Sequence, residues 1–320
     1  VPTLLHVVCD SNFYRGTGTD LVSDIVAHEA RLGVVPLASF WPPVELLAHC
    51  ATPDDPAHRS ALLAVQRLRL HTGYQQGGSL RLRMALDGES LVAHGLFNGE
   101  FSNRLLDIAN LTEVLIAASP SGDWTSSQRD ALLSLATKVS RREQAFAAAM
   151  EQLSAGLQDA VTLGHASTLA EARRSFLDVT ADPAALLLIA GTLAAMCAKQ
   201  AGYTASEATI ATKAPMLLAG FPTTVHFVLG QVRKGLTSEV NWRVNPHCNS
   251  VWDTLISFHV SSSVTTHGLP LLLVSSDREI RAAAKAAGVG EFAICGDRYC
   301  ELVKSGEIVS YAASLAATAA

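Results

Sequence analysis

Twice in this chain a carboxylate follows a short apolar run, in Leu4-Leu5-His6-Val7-Val8-Cys9-Asp10 and in Leu271-Leu272-Leu273-Val274-Ser275-Ser276-Asp277. Two further acids sit inside apolar segments, Glu45 in Pro43-Val44-Glu45-Leu46-Leu47 and Asp253 in Trp252-Asp253-Thr254-Leu255-Ile256. Residues just past the carboxyl ends of parallel strands project into the crevice where ligands bind. Neighbouring strands would therefore gather Asp10 and Asp277. Two carboxylates ~4 Å apart repel by roughly 4 kcal/mol at an effective dielectric near 20. A hard divalent cation such as Mg²⁺ or Mn²⁺ relieves that repulsion and prefers oxygen ligands. Held by such a set, one or two ions acidify a water, aim it at a phosphodiester and neutralise the attacked phosphate. Asp10 and Asp277 are the expected primary ligands, with Asp253 and Glu45 coordinating directly or through water. Asn12, Ser275 and Ser276 are of the types that orient ligating carboxylates. Arg243, Lys234 and Arg278 are candidates for contact with phosphate.

The elements that must place these groups read as α/β at both ends. After the Asp10 strand, Asp20 to Leu32 carries apolar residues at helical spacing, and Gly33 stands at its C′ position. Val34 to Ala38 reads as a second short strand, and Pro42 and Pro43 belong in the first turn of a helix bearing Glu45. Near the other end, Asn249-Ser250 opens a helix with Asp253, the Asp277 strand follows, then a helix from Arg278 to Ala287 closed by Gly288. Phe292 to Cys295 is expected as a last strand. The expected fold is three-layer α/β/α with a short, mostly parallel central sheet formed by 1–50 and 241–310. The residues between, 51–240, are expected to be a mainly helical insertion, and 311–320 a frayed tail. Thr125 is expected to cap a helix through about Leu157, whose stripe Leu132, Ala136, Val139, Phe146, Met150, Leu153 and Leu157 has Glu143 as its one polar break. That stripe fits a core-facing helix better than a coiled coil. Segment 79–95 is expected to form a hairpin turning at Asp87-Gly88.

Composition limits the alternatives. At 320 residues with 49% hydrophobic and 17% charged content, the chain can build a large core and general disorder is excluded. A net charge of −5 leaves no overall basic footprint, so a polyanion would be held by metal and by local patches. Arg141-Arg142, Arg173-Arg174 and Arg233-Lys234 are ordinary solvated faces or, together, an RNA track on the helical region. Six scattered cysteines without a C-x-x-C pair suit free thiols in a reducing cytoplasm. No secretory leader is visible, and the uncharged run Ala184–Ala198 is short for a membrane span. Gly16-Thr17-Gly18 lacks the third glycine of a nucleotide loop. Taken singly, each acid also has a plain structural role, Asp10 as a turn former or helix cap and Glu45 as a first-turn acid favoured by the helix dipole.

Taken together and in order, the strand-end Asp10-Ser11-Asn12, the helical Glu45, Asp253 in a D-x-x-I segment and Ser275-Ser276-Asp277 resemble the PIN domain. The resemblance covers 1–50 and 241–310, whereas the span between Glu45 and Asp253 is far longer than that family usually has. It implies an endoribonuclease using Mg²⁺ or Mn²⁺ held by Asp10, Glu45, Asp253 and Asp277, acting on RNA or another nucleic acid. It further implies that 51–240 selects the substrate, a protein partner or a second copy. A PIN-like module that binds nucleic acid or protein without cleavage is the alternative. A phosphatase of the haloacid-dehalogenase type ranks third, because that chemistry needs an acid where this chain has Asn12.

Overall fold

The computed structural model describes residues 2–97, 103–119, 122–200, 202–244, 247–263, 265–266 and 268–319. Strand β1 (Leu5–Cys9) leads through helices α1 (Ser11–Gly16) and α2 (Thr19–Leu32) to β2 (Val34–Leu37), then to α3 (Trp41–His49) and α4 (His58–Thr72). A two-stranded hairpin, β3 (Gly73–Gln76) with β4 (Ser79–Leu82), precedes a run of helices. These are α5 (Gly88–Phe97), α6 (Asn103–Ala118), α7 (Ser126–Thr162), α8 (Leu169–Ala181), α9 (Ala184–Gln200), α10 (Glu207–Gly220) and α11 (Pro222–Thr237). The chain returns to the sheet through α12 (Ser250–Ser257), β5 (Thr265–Thr266), β6 (Leu269–Val274), α13 (Arg278–Ala286), β7 (Ala293–Ile294), α14 (Gly296–Ser305) and α15 (Ile308–Ala319).

The centre is a small parallel sheet in the order β2-β1-β6-β7, flanked by helices, with the short β5 added antiparallel to the start of β6. Every residue of β1 is buried, as expected of a strand covered on both faces, where no polar alternation survives. Its partner β6 lies in register from His6 opposite Leu271 to Cys9 opposite Val274. The two ends of the chain are thus joined at the middle of the sheet. Gly33 takes φ 74° at the end of α2, the left-handed cap that lets β2 begin at the next residue. Pro42 and Pro43 lie in the first turn of α3, whose residues from Trp41 to Ala48 are all buried, Glu45 included.

Two expectations are corrected. First, the hairpin turns at Gly77-Gly78, both with positive φ, and not at Asp87-Gly88. Asp87 instead accepts hydrogen bonds from the Glu89 and Ser90 backbone N–H groups at the start of α5. Alternation in Leu80-Arg81-Leu82 marked a strand correctly, but the two glycines before it supply the turn. Second, 311–320 is no frayed tail, since α15 buries Ile308, Ala312 and Leu315. The span 51–240 is mainly helical, as expected, and it shares its core with the two ends. Ala64, Val65 and Leu68 of α4, Leu115 of α6, Leu132, Leu135 and Val139 of α7 and Phe227 of α11 belong to one apolar cluster with β1 and β6. A second cluster joins Val92, Leu193, Ala194, Leu217, Val225 and Phe258. Helix α7 runs 37 residues from a capping box in which Thr125 and Gln128 satisfy each other's backbone N–H groups. Its stripe faces inward through Leu132, Val139, Met150 and Leu157, while the Leu153 side chain lies outside the described residues. No single helix among the described residues is long and apolar enough to cross a membrane.

Gly88 shows how tightly the insertion is fitted. A Cβ there would stand 2.3 Å from the Phe258 Cβ, inside the second apolar cluster and against the chain just after α12. Overpacking of that kind costs about 1–3 kcal/mol. Gly88→Ala is expected to lower the unfolding free energy by that amount, read by circular dichroism as a lower urea midpoint with an unchanged m-value.

Candidate active site

The carboxyl ends of β1 and β6 are fastened together by one hydroxyl. Asp10 follows β1, and its backbone N–H extends the ladder to the Val274 carbonyl at 3.0 Å. Its Oδ2 accepts from the Ser275 hydroxyl at 2.5 Å and from the Ser276 backbone N–H at 3.2 Å. Its Oδ1 accepts from the Phe13 N–H at 2.7 Å, which makes it the N-cap of α1. The same Ser275 hydroxyl accepts from the Asp277 N–H at 3.1 Å. Asp277 in turn caps α13, its Oδ1 accepting from the Glu279 and Ile280 N–H groups. The two strand-end acids therefore share a single serine as a neighbour. Ser276 reaches Asp10 through its main chain. Asn12 is exposed, and no described contact ties its side chain to Asp10.

Glu45 approaches from α3, where Arg15 of α1 donates to its Oε1 at 3.2 Å. Asp253 approaches from the first turn of α12. Burial is the largest influence on both Asp10 and Asp253. Asp10 is pushed up to about 6 by its removal from water, opposed by hydrogen bonds from Ser275, Phe13 and Ser276 and reinforced by the charge of Glu45. Asp253 is raised well above the usual carboxylate range by burial, then by the charges of Asp277, Asp10, Glu45 and Glu279. All four expected acids thus lie within one electrostatic neighbourhood. No hydrogen bond or ion pair from the described residues reaches the Asp253 carboxylate.

An all-oxygen donor set, buried at Asp10 and Glu45 and half-buried at Asp253 and Asp277, is of the chemistry that suits a hard divalent cation. Asp10, Glu45, Asp253 and Asp277 are the residues that would hold it. Among the described residues no three His, Cys, Asp or Glu side chains are yet gathered closely enough to share one ion. Asp10 and Asp277 are turned to their helix caps and Glu45 to Arg15.

The surrounding cations are unequal. Lys234 donates to Glu279 at 2.9 Å, beside the acids. Arg278 is exposed at the start of α13 and makes no ion pair among the described residues. Arg243 is held by Glu151 of α7 through two hydrogen bonds of 2.8 and 2.6 Å, so a phosphate would have to displace that carboxylate.

One acid was missed by reading the sequence. Glu143 of α7 accepts from the Trp252 indole N–H at 3.0 Å, and burial, then the charge of Glu45, raises its carboxyl. The available signal was its place as the single polar break in an apolar stripe.

No protein-family model matches this chain, and no curated protein and no solved structure matches it.

A sign follows for stability without added metal. Asp10 and Asp253 hold protons more tightly when folded than when unfolded, so each contributes fully below the unfolded value near 3.8. That stability is lost as pH rises toward the folded value, about 6 for Asp10 and about 3 kcal/mol for a shift of this size. Asp253→Asn in EDTA is expected to melt higher than the wild type at pH 7, because it removes a charge that Asp277, Asp10 and Glu45 repel. The gap should close at pH 3, measured by calorimetry.

Proposed function

We propose that this protein is a Mg²⁺- or Mn²⁺-dependent nuclease with a PIN-like, three-layer α/β/α centre, acting on RNA as an endonuclease. The observation that supports the reading is the Ser275 hydroxyl shared by Asp10 and the Asp277 backbone N–H, which holds two acids from opposite ends of the chain at the carboxyl ends of β1 and β6, the edge where open parallel sheets bind ligands. The raised Asp253 carboxyl, to which Asp277, Asp10 and Glu45 contribute their charge, agrees with it. Structural ion pairs also perturb carboxylates, but Asp253 has no cationic partner among the described residues.

The bound cation would supply an acidified water and neutralise the phosphodiester's charge. The chain's own part is positioning. Ser275 holds Asp10, and the start of α13 holds Asp277. Arg278 and Lys234 stand beside the acids to meet phosphate oxygens, Lys234 after release from Glu279. Arg15 screens Glu45 until the pocket is filled.

A second reading, binding without cleavage, is favoured by the present engagement of Asp10, Asp277 and Glu45 in other contacts. Single-stranded RNA incubated with Mn²⁺ or Mg²⁺ separates the two. Cleavage abolished by EDTA is expected. Asp277→Asn keeps its capping oxygen and should fold normally; Asp10→Asn keeps one acceptor oxygen where Asp10 uses two, so circular dichroism must first confirm its fold. Their loss of rate should exceed the about 10- to 100-fold typical of a supporting residue. Intact RNA with every divalent ion, alongside RNA binding by the folded protein, would establish the non-cleaving reading.

A further inference from the structure

Helix α7 reaches the acidic pocket through two consecutive residues. Arg142 lays its guanidinium over the Trp41 ring, 4.0 Å from the centroid. It also grips Glu89 with two hydrogen bonds of 3.0 and 2.7 Å. Glu143 takes the Trp252 indole N–H. The two indoles face each other with centroids 5.5 Å apart, each only 5% exposed. Trp41 opens α3 four residues before Glu45, a spacing that puts both on one helical face. Trp252 directly precedes Asp253. The two acid-bearing helices therefore meet through a tryptophan pair, and adjacent residues of a third helix hold that pair.

We propose that Arg142 and Glu143 form a positioning clamp through which the helical region 51–240 sets the separation of Glu45 and Asp253 across the pocket. Buried indole N–H groups require an acceptor, and a guanidinium over an indole face is a directional contact. Each therefore fixes a ring, and with the ring the helix that carries it. The clamp explains why α7 interrupts its apolar stripe with a carboxylate at this one point. It explains too why the basic Arg141-Arg142 pair is not simply a solvated face, because Arg142 is turned inward to Trp41 and Glu89. The proposal rests on reading the acids as a cation-dependent centre.

The test is Mn²⁺ affinity, followed by electron paramagnetic resonance on the full chain, with circular dichroism confirming the fold. Glu143→Leu, Arg142→Met and Trp252→Phe are each expected to weaken Mn²⁺ binding about 10- to 100-fold, the usual effect of losing a group that orients ligands. Trp252→Phe keeps an aromatic ring and covers the case in which Glu143→Leu does not fold. Glu143→Gln keeps an oxygen for the indole and should bind close to wild type. Wild-type affinity in folded Glu143→Leu and Trp252→Phe overturns the clamp alone. A loss in Glu143→Gln as large as in Glu143→Leu also overturns it, because the charge and not the hydrogen bond would then matter. A wild-type chain that binds no Mn²⁺ overturns the reading of the pocket, and the clamp with it.

Discussion

The parallel pairing of β1 with β6 is the constraint on which the remaining structure depends. It joins residues from opposite ends of the chain at the middle of the sheet, so everything between must leave β2 and come back. A long excursion adds little to the closure cost, which grows only with the logarithm of its length. What it demands is a fixed meeting point. The Ser275 hydroxyl supplies one, donating to Asp10 while accepting from the Asp277 N–H. Because both acids also cap helices, the strand register, the directions of α1 and α13 and the place of two carboxylates are set together.

A second polar junction ties the excursion to this centre. Glu29 of α2, 1% exposed, accepts from Tyr299 of α14 and pairs with His71 of α4 at 2.8 Å. The other His71 ring nitrogen meets the Tyr14 hydroxyl at 3.0 Å. Buried polar groups are costly when partly satisfied and rigidifying when paired. Here Glu29 Oε1 takes both bonds while its buried Oε2 has no hydrogen-bond partner among the described residues, and the group sets how α4, which starts the helical region, docks against helices from both ends of the chain. With α7 packed on α3 through the two tryptophans, the helical region meets the centre on polar contacts of defined geometry as well as on apolar surface.

How much of this could be read in the sequence follows from the range of the interactions. Continuous apolar runs made β1 and β6 plain, and Gly33, Pro42-Pro43 and Thr125 marked helix ends by local backbone preference. Apolar periodicity found α7 but not where its two halves pack, because periodicity reports a buried face without naming the partner. The hairpin was misplaced by one turn signal: Asp87-Gly88 is also a helix start, and only Phe258, distant in sequence, shows why the glycine is needed. In the site, Ser275 was legible because it adjoins Asp277 past one strand end, whereas Ser276 contributes only its main-chain N–H. Glu143 was not, since its meaning comes from Trp252, more than a hundred positions away.

The acidic neighbourhood runs against stability in a way that local roles do not explain. A helix cap is served as well by Asn or Ser as by Asp, and the first turn of α12 has no need of an acid withdrawn from water. Yet Asp253 is half-buried in the field of four other carboxylates, and Asp10 stays in the same field despite three hydrogen bonds. Replacing Asp253 with an apolar residue would remove both the desolvation cost and the repulsion. Positions where a chain departs from its own stability logic, while its neighbours satisfy it, are the positions expected to carry function. On the proposed function the arrangement is coherent: carboxylates that repel one another would attract a cation, and the groups that weaken the fold would be the ones that bind it.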